Sequence, residues 1–146
     1  MDLARGIIEI EGERFYPGYT FEDFKRSHFY TDQDGILSID LDHPVQIMNH
    51  TYLISICFMD YELDRLFLYC IDKEIPDDRE IERKKLHEQI LADQGLAPVN
   101  NYPWGSVDSC YDNRINRYFI AIVYNTPGRI ALNKKNKKSL WQKLFS

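Results

Sequence analysis

The chain has 146 residues, 44% hydrophobic, 28% charged and 14% aromatic; this balance excludes intrinsic disorder and fits one folded domain that buries roughly 70% of its unfolded surface. The net charge of −5 is unevenly divided: residues 1–128 hold all 23 acids against 12 of the 18 Lys and Arg, a net of −11, whereas residues 129–146 carry Arg129, Lys134, Lys135, Lys137, Lys138 and Lys143 and no acid, a net of +6. An acidic body repels nucleic acid and attracts basic protein surfaces, so the expected partner is a protein rather than a nucleic acid.

Residues 6–16, GIIEIEGERFY, read as a first strand that ends at the Pro17-Gly18 turn. A short helix over 21–27 follows, with Thr20 as its cap and Asp23 in the place of the capping-box acid. The Asp32-Gln33-Asp34-Gly35 run is a turn, after which Ile36, Leu37 and Ile39 begin a strand. Calcium does not fit this turn: an EF-hand loop with its glycine at Gly35 would need ligands at Tyr30 and Leu41, and neither side chain can serve.

Two long strands, 45–58 and 63–71, form a hairpin around Asp60-Tyr61-Glu62, and the second is apolar on both faces, as in a central strand. Residues 77–95 are the clearest helix, with Asp77 or Asp78 as the cap and Gly95 as the left-handed terminus. Its apolar stripe is Ile81, Leu86, Ile90 and Leu91, with Glu82, Lys85 and Gln89 turned outward.

Strands over 104–111 and 118–125 follow, joined by a polar turn at 112–116. Beyond the Pro127-Gly128 break, a short strand at 129–132, a lysine-rich loop and a final turn are expected. Residues 129–146 thus form a basic tail on a single 1–128 domain, docked through Leu140, Trp141, Leu144 and Phe145. The aromatic share and the order of elements predict an α+β fold: a meandering antiparallel sheet of six to seven strands with one short and one long helix on one face.

The run Trp104-Gly105-Ser106-Val107-Asp108-Ser109-Cys110-Tyr111-Asp112, preceded by the helix bearing Leu86, His87 and Leu91 and followed by Ile120, Ile122 and Tyr124, resembles a group of small bacterial proteins. These carry a long helix followed by a W-G-x-[IV]-x-S-x-Y-D strand. The resemblance covers residues 80–124. Some proteins of this build look like immunity partners of bacterial toxins, which implies an inhibitor of a basic toxin and carries over no catalytic residue.

Strand alternation puts Ser106, Asp108, Cys110 and Asp112 on one face with Trp104, opposite Val107, Ser109 and Tyr111, making that face the candidate binding site. A reactive Cys110 would need a positive neighbour, and only Arg114 is near in sequence. His87 begins H-E-Q-I-L, which lacks the second histidine of the zinc-protease motif, and His43 and His50 read as surface histidines.

The seven glycines are isolated, so no phosphate loop is expected. Three cysteines without C-x-x-C spacing predict buried free thiols rather than a disulfide framework or a zinc site. With an acidic amino terminus unlike a secretory signal and no run of roughly 18–20 apolar residues, the expectation is a cytoplasmic protein with no metal, no cofactor and no membrane partner. The favoured function is non-enzymatic protein binding. The alternatives are a small hydrolase or transferase near Asp108, Cys110 and Asp112 with His87, and a homo-oligomeric structural protein assembled through the tail.

Overall fold

The computed structural model describes every residue except Ile36, Lys73, Glu74, Pro98 and Ser146, and for Asp77, Val99, Leu140, Trp141 and Phe145 it gives the backbone alone. The elements in order are β1 (Ile8–Ile10), β2 (Glu13–Phe15), α1 (Phe21–Lys25), β3 (Ser38–Asp40), β4 (Val45–Ile47), β5 (His50–Met59), β6 (Glu62–Cys70), α2 (Glu80–Asp93), β7 (Val99–Tyr102), β8 (Gly105–Asp112), β9 (Arg117–Tyr124) and α3 (Pro127–Phe145). Among the described residues, seven strands form one antiparallel sheet in the order β3-β5-β6-β9-β8-β7, with β4 paired to the first residues of β5 and β3 to its second half. β1 and β2 form a separate hairpin. The protein is α+β, as its sequence predicts.

Two of the expected strands are hairpins instead. In 6–16 the chain reverses at Glu11-Gly12, and in 45–58 it reverses at Met48-Asn49; both turns, like that at Asp60-Tyr61, hold two successive residues at positive φ. Such paired left-handed residues match the twist of the flanking strands and close a two-residue hairpin. Gly12 and Asn49 adopt this conformation readily, whereas Glu11, Met48 and Tyr61 are held there by the strand pairing on either side. Of the strand expected from Ile36, only Ser38–Asp40 is observed: Leu37 is exposed and Ile36 lies outside the described residues.

Alternate residues of the central strands build the core. Tyr52, Ile54 and Ile56 of β5, Leu66, Leu68 and Cys70 of β6, Ile120, Ile122 and Tyr124 of β9 and Val107 of β8 are each 2% exposed or less. Onto this face pack Ile8, Ile10 and Phe15 of the first hairpin, Phe21 and Phe24 of α1, and Ile90 and Leu91 of α2. Each such aliphatic or aromatic side chain contributes about 1.5–3 kcal/mol by leaving water. α1 is only five residues long, and its capping box holds it: Asp23 N donates to Thr20 Oγ1 at 3.1 Å and Thr20 N donates to Asp23 Oδ2 at 2.9 Å.

The inward face of α2 is not the apolar stripe expected from its sequence. Ile81 is 53% exposed, while Glu80, Arg83 and His87 are buried beside Ile90 and Leu91. The reason is a set of polar contacts among the buried groups. Arg83 Nε donates to Glu80 Oε1 at 2.8 Å, Tyr118 N donates to the same oxygen at 2.7 Å, and Arg83 Nη1 donates to the Cys70 carbonyl at 2.6 Å. The helix starts after a 3₁₀ turn at Asp77–Arg79, and its N-cap, Arg79, makes no side-chain capping bond. Asp78 therefore does not cap it, and the side chain of Asp77 lies outside the described residues.

Residues 127–145 form one continuous helix rather than a strand, a loop and a turn. Thr126 Oγ1 accepts from Arg129 N at 3.1 Å, and Pro127 occupies the first helical position, where its fixed φ and missing N–H are no handicap. Read as a break in the sequence, this proline is a helix start. Arg129 makes a bidentate pair with the buried Asp64, Nε to Oδ1 at 2.8 Å and Nη2 to Oδ2 at 2.6 Å. From Ile130 to Ser139 the helix is exposed, and Leu144 is 67% exposed. The expected docking through Leu140, Trp141 and Phe145 falls on side chains outside the described residues. Among the described residues, no helix is long and apolar enough to cross a membrane.

Gly105 sits where β8 leaves the turn after β7, at φ +154°, and a Cβ there would lie 1.9 Å from the Val123 carbonyl oxygen. Because that neighbour is backbone, the strands must separate to admit any side chain. Gly105→Ala is therefore expected to lower unfolding stability by about 3 kcal/mol or more, read as a reduced midpoint in urea denaturation.

Candidate functional site

β8 delivers the expected alternation for four of the five candidate residues. Ser106, Asp108, Cys110 and Asp112 lie opposite Val123, Ala121, Phe119 and Arg117 of β9, on the sheet face away from α2. Trp104 does not join them. It occupies the two-residue turn between β7 and β8, where its ring stacks on Tyr102 at 5.4 Å and 7°, packs over Gly6 and donates from Nε1 to the Ala4 carbonyl at 2.9 Å. Those contacts belong to the core side and tie down the amino terminus.

Neither Cys110 nor Asp112 is set up for attack on a substrate. The Cys110 thiol donates to Asp108 Oδ1 at 2.9 Å, and burial together with that neighbouring carboxylate pushes its pKa up to about 12, so it stays protonated. Asp112 accepts from Arg114 Nε and Nη2, both at 3.2 Å, and from the Arg114 backbone N–H at 2.9 Å. These bonds hold its carboxyl below the usual range and shape the β8–β9 turn.

His87 is on the other side of β8. Its Nδ1 shares a 3.1 Å hydrogen bond with Ser109 Oγ, while Nε2 is buried with no hydrogen-bond partner among the described residues. Asp108, Cys110 and Asp112 therefore do not meet His87 across a common cavity.

The same outer face continues onto β5 and β6, where the sequence reading placed no site. There Phe67 and Tyr69 stand with Phe119 of β9, ring centroids 4.8 and 5.3 Å apart, and Leu53 is 45% exposed beside them. Asp40 and Ser55, joined by a hydrogen bond, edge one side of this floor, and Arg114 and Arg117 edge the other. The resulting groove has a volume of about 640 Å³, and of the five predicted residues only Asp112 borders it. One signal for it was present in the sequence: Arg65, Phe67 and Tyr69 alternate with Leu66 and Leu68, giving β6 an amphipathic second face.

Two histidine clusters also form. His43 lies between acids, Nδ1 at 2.6 Å from Asp42 and Nε2 at 2.7 Å from Glu11, and these partners raise its pKa; His28 Nε2 is 3.5 Å from the second Glu11 oxygen. Both histidines are exposed. His50, Cys70 and Asp72 form a tighter group at the far end of the β5–β6 ladder, with one potential ligand atom from each lying within 4.8 Å of the others.

The buried state of His87 has a pH signature. Burial, and then the charge of Arg83, lowers its pKa from 6.5 to about 4, so between those values the unfolded chain binds the proton that the folded chain refuses. Stability is whole above pH 6.5 and falls as the pH drops toward 4, by up to about 3 kcal/mol. In urea melts across this range, His87→Gln is expected to flatten that part of the profile. No family model matches the chain, and no similar curated protein or solved structure was found.

Proposed function

We propose that this chain is a protein-binding domain that docks a basic partner protein in the groove on the outer face of its sheet, in the manner of an immunity-type inhibitor. The observation that carries this reading is the floor of Phe67 and Tyr69, backed by the buried ring of Phe119 and set between polar margins, on the sheet face opposite α1 and α2. Aromatic anchors with arginines at their edge are the composition of binding hot spots. A net of −11 over residues 1–128 supplies long-range attraction to a basic surface and raises the rate of encounter. The immunity-type class is itself part of the proposal, taken from the resemblance that the sequence of residues 80–124 bears to small bacterial proteins. The hydrolase alternative has less support, because Cys110 is held protonated and His87 lies across the sheet from it.

The test is affinity capture from the native host followed by calorimetry with the purified partner. A basic protein is expected to bind one to one, more weakly as salt rises, with Tyr69→Ala costing about 2 kcal/mol of affinity. Capture of no stoichiometric partner, or a partner whose affinity is indifferent to Tyr69→Ala, defeats the reading.

A second reading, self-assembly, is favoured by α3, whose basic turns and exposed Ile130, Leu132 and Leu144 extend from an acidic body. It predicts an oligomer in light scattering that reverts to monomer when residues 133–146 are removed; an unchanged mass disposes of it.

A further inference from the structure

We propose that His50, Cys70 and Asp72 form a binding site for a divalent ion of the zinc class. The β5–β6 register brings His50 to Cys70 and Asp72, which follow it by 20 and 22 residues in the sequence. Tyr52 lies opposite Cys70, and the ladder runs one step further, with Ile71 N donating to the Thr51 carbonyl at 2.9 Å. The next pair on the same face is therefore His50 and Asp72. Two adjacent rungs thus present an imidazole, a thiol and a carboxylate to one point, with ligand atoms within 4.8 Å of each other.

The group is already ordered. His50 Nδ1 is 2.6 Å from Asp72 Oδ2, and Asp72 Oδ1 accepts from Thr51 N at 2.7 Å, which fixes the carboxylate plane. The Cys70 carbonyl accepts from Arg83, whose charge is balanced by Glu80, so the backbone carrying the thiol is held from the helix side. An independent observation points to the same place: the hydroxyl of Tyr52, a residue with no exposed surface, has no hydrogen-bond partner among the described residues. Tyr52 adjoins Cys70 across the ladder and His50 along the strand. A buried hydroxyl left without a partner is costly, and a bound ion or an ion-held water on this face would supply one.

The donor set names the ion. One nitrogen, one sulfur and one carboxylate oxygen suit Zn²⁺ and its spectroscopic stand-in Co²⁺, whereas calcium and magnesium take all-oxygen sites. Three protein ligands leave a fourth position for a further ligand. On binding, the cation takes the place of the His50–Asp72 hydrogen bond, the neutral imidazole keeping its proton on the nitrogen that does not bind, and the Cys70 thiol proton is released to solvent. Cys70 is 1% exposed, while the side chains of His50 and Asp72 are 24% and 27% exposed, so an ion enters from their side.

The full chain, stripped with a chelator, is titrated with Zn²⁺ alone and with Co²⁺ alone. One equivalent per chain is expected, with a thiolate-to-cobalt charge-transfer band in the near ultraviolet and a higher melting temperature with Zn²⁺. His50→Gln and Asp72→Asn, both at partly exposed positions, are each expected to weaken binding roughly tenfold or more. Cys70→Ser is expected to abolish the charge-transfer band; if that buried substitution prevents folding, the other two variants decide. His43→Gln, in the separate Glu11 cluster, is expected to leave binding unchanged. Failure to bind, binding without the charge-transfer band, binding that survives both His50→Gln and Asp72→Asn, or binding lost with His43→Gln overturns the proposal.

Discussion

The pairing of β5 with β6 is the constraint on which the rest of this molecule depends. From Tyr52 opposite Cys70 to Met59 opposite Glu62, one hairpin decides which side chains enter the core and which face outward. A slip of a single residue would put Phe67 and Tyr69 into the core and turn Leu66 and Leu68 to solvent. The register is not uniform. It shifts between Cys57 and Phe58, so that Asp64 has no paired position of its own. That irregularity lets Phe58 and Leu63 both reach the core, and it leaves Asp64 to receive Arg129, the residue that anchors α3.

The two faces of the sheet solve different problems. The inner face is apolar where the first hairpin and α1 cover it, but under α2 it meets a buried ion pair. Glu80 and Arg83 are 8% and 6% exposed, and an ion pair withdrawn from water gains little net stability, because desolvation offsets most of the attraction. What the pair contributes is position. Glu80 accepts from the backbone N–H of Tyr118 near the start of β9, and Arg83 donates to the carbonyl at the end of β6. α2 is thereby keyed to two strand ends, a constraint that apolar contact alone would leave loose. The outer face carries alternating aromatic and charged side chains, a pattern stable in water and also suited to a partner.

Much of this fold was legible because its signals were local. Thr20 and Asp23 announce a capping box, and Asp60-Tyr61-Glu62 lies between two apolar runs, so α1 and the central hairpin follow from neighbouring residues. The alternation of Ser106, Asp108, Cys110 and Asp112 was likewise readable along one strand. Other features depended on partners distant in sequence. Met48-Asn49 gives little turn signal in a run of strand formers, and only the pairing of β4 with β5 holds it left-handed. Ile81 and Leu86 outweighed Arg83 in the apparent stripe of α2 because the carbonyl awaiting Arg83, at Cys70, lies 13 residues away. The groove at Phe67 and Tyr69 and the cluster at His50 were missed for the same reason: each is a product of register, and register is not written at any single position. Trp104 was placed with the polar face by its alternation, although the turn at Pro103-Trp104 ends that alternation one residue too soon.

The contact of Trp104 and Tyr124 with the amino terminus has a consequence for how the chain is made. Trp104 Nε1 reaches the Ala4 carbonyl and the Tyr124 hydroxyl reaches the Gly6 carbonyl, contacts that span 100 and 118 residues. During synthesis the first turn leaves the ribosome long before either ring exists, so its seat is completed only once β9 has emerged. Loops of that length close late, because the chain entropy lost comes before the contact is gained. The amino-terminal segment thus acts as a latch made first and fastened last, and a nascent chain stalled before Tyr124 would hold Ile8, Ile10 and Phe15 without the final strand of the core they belong to.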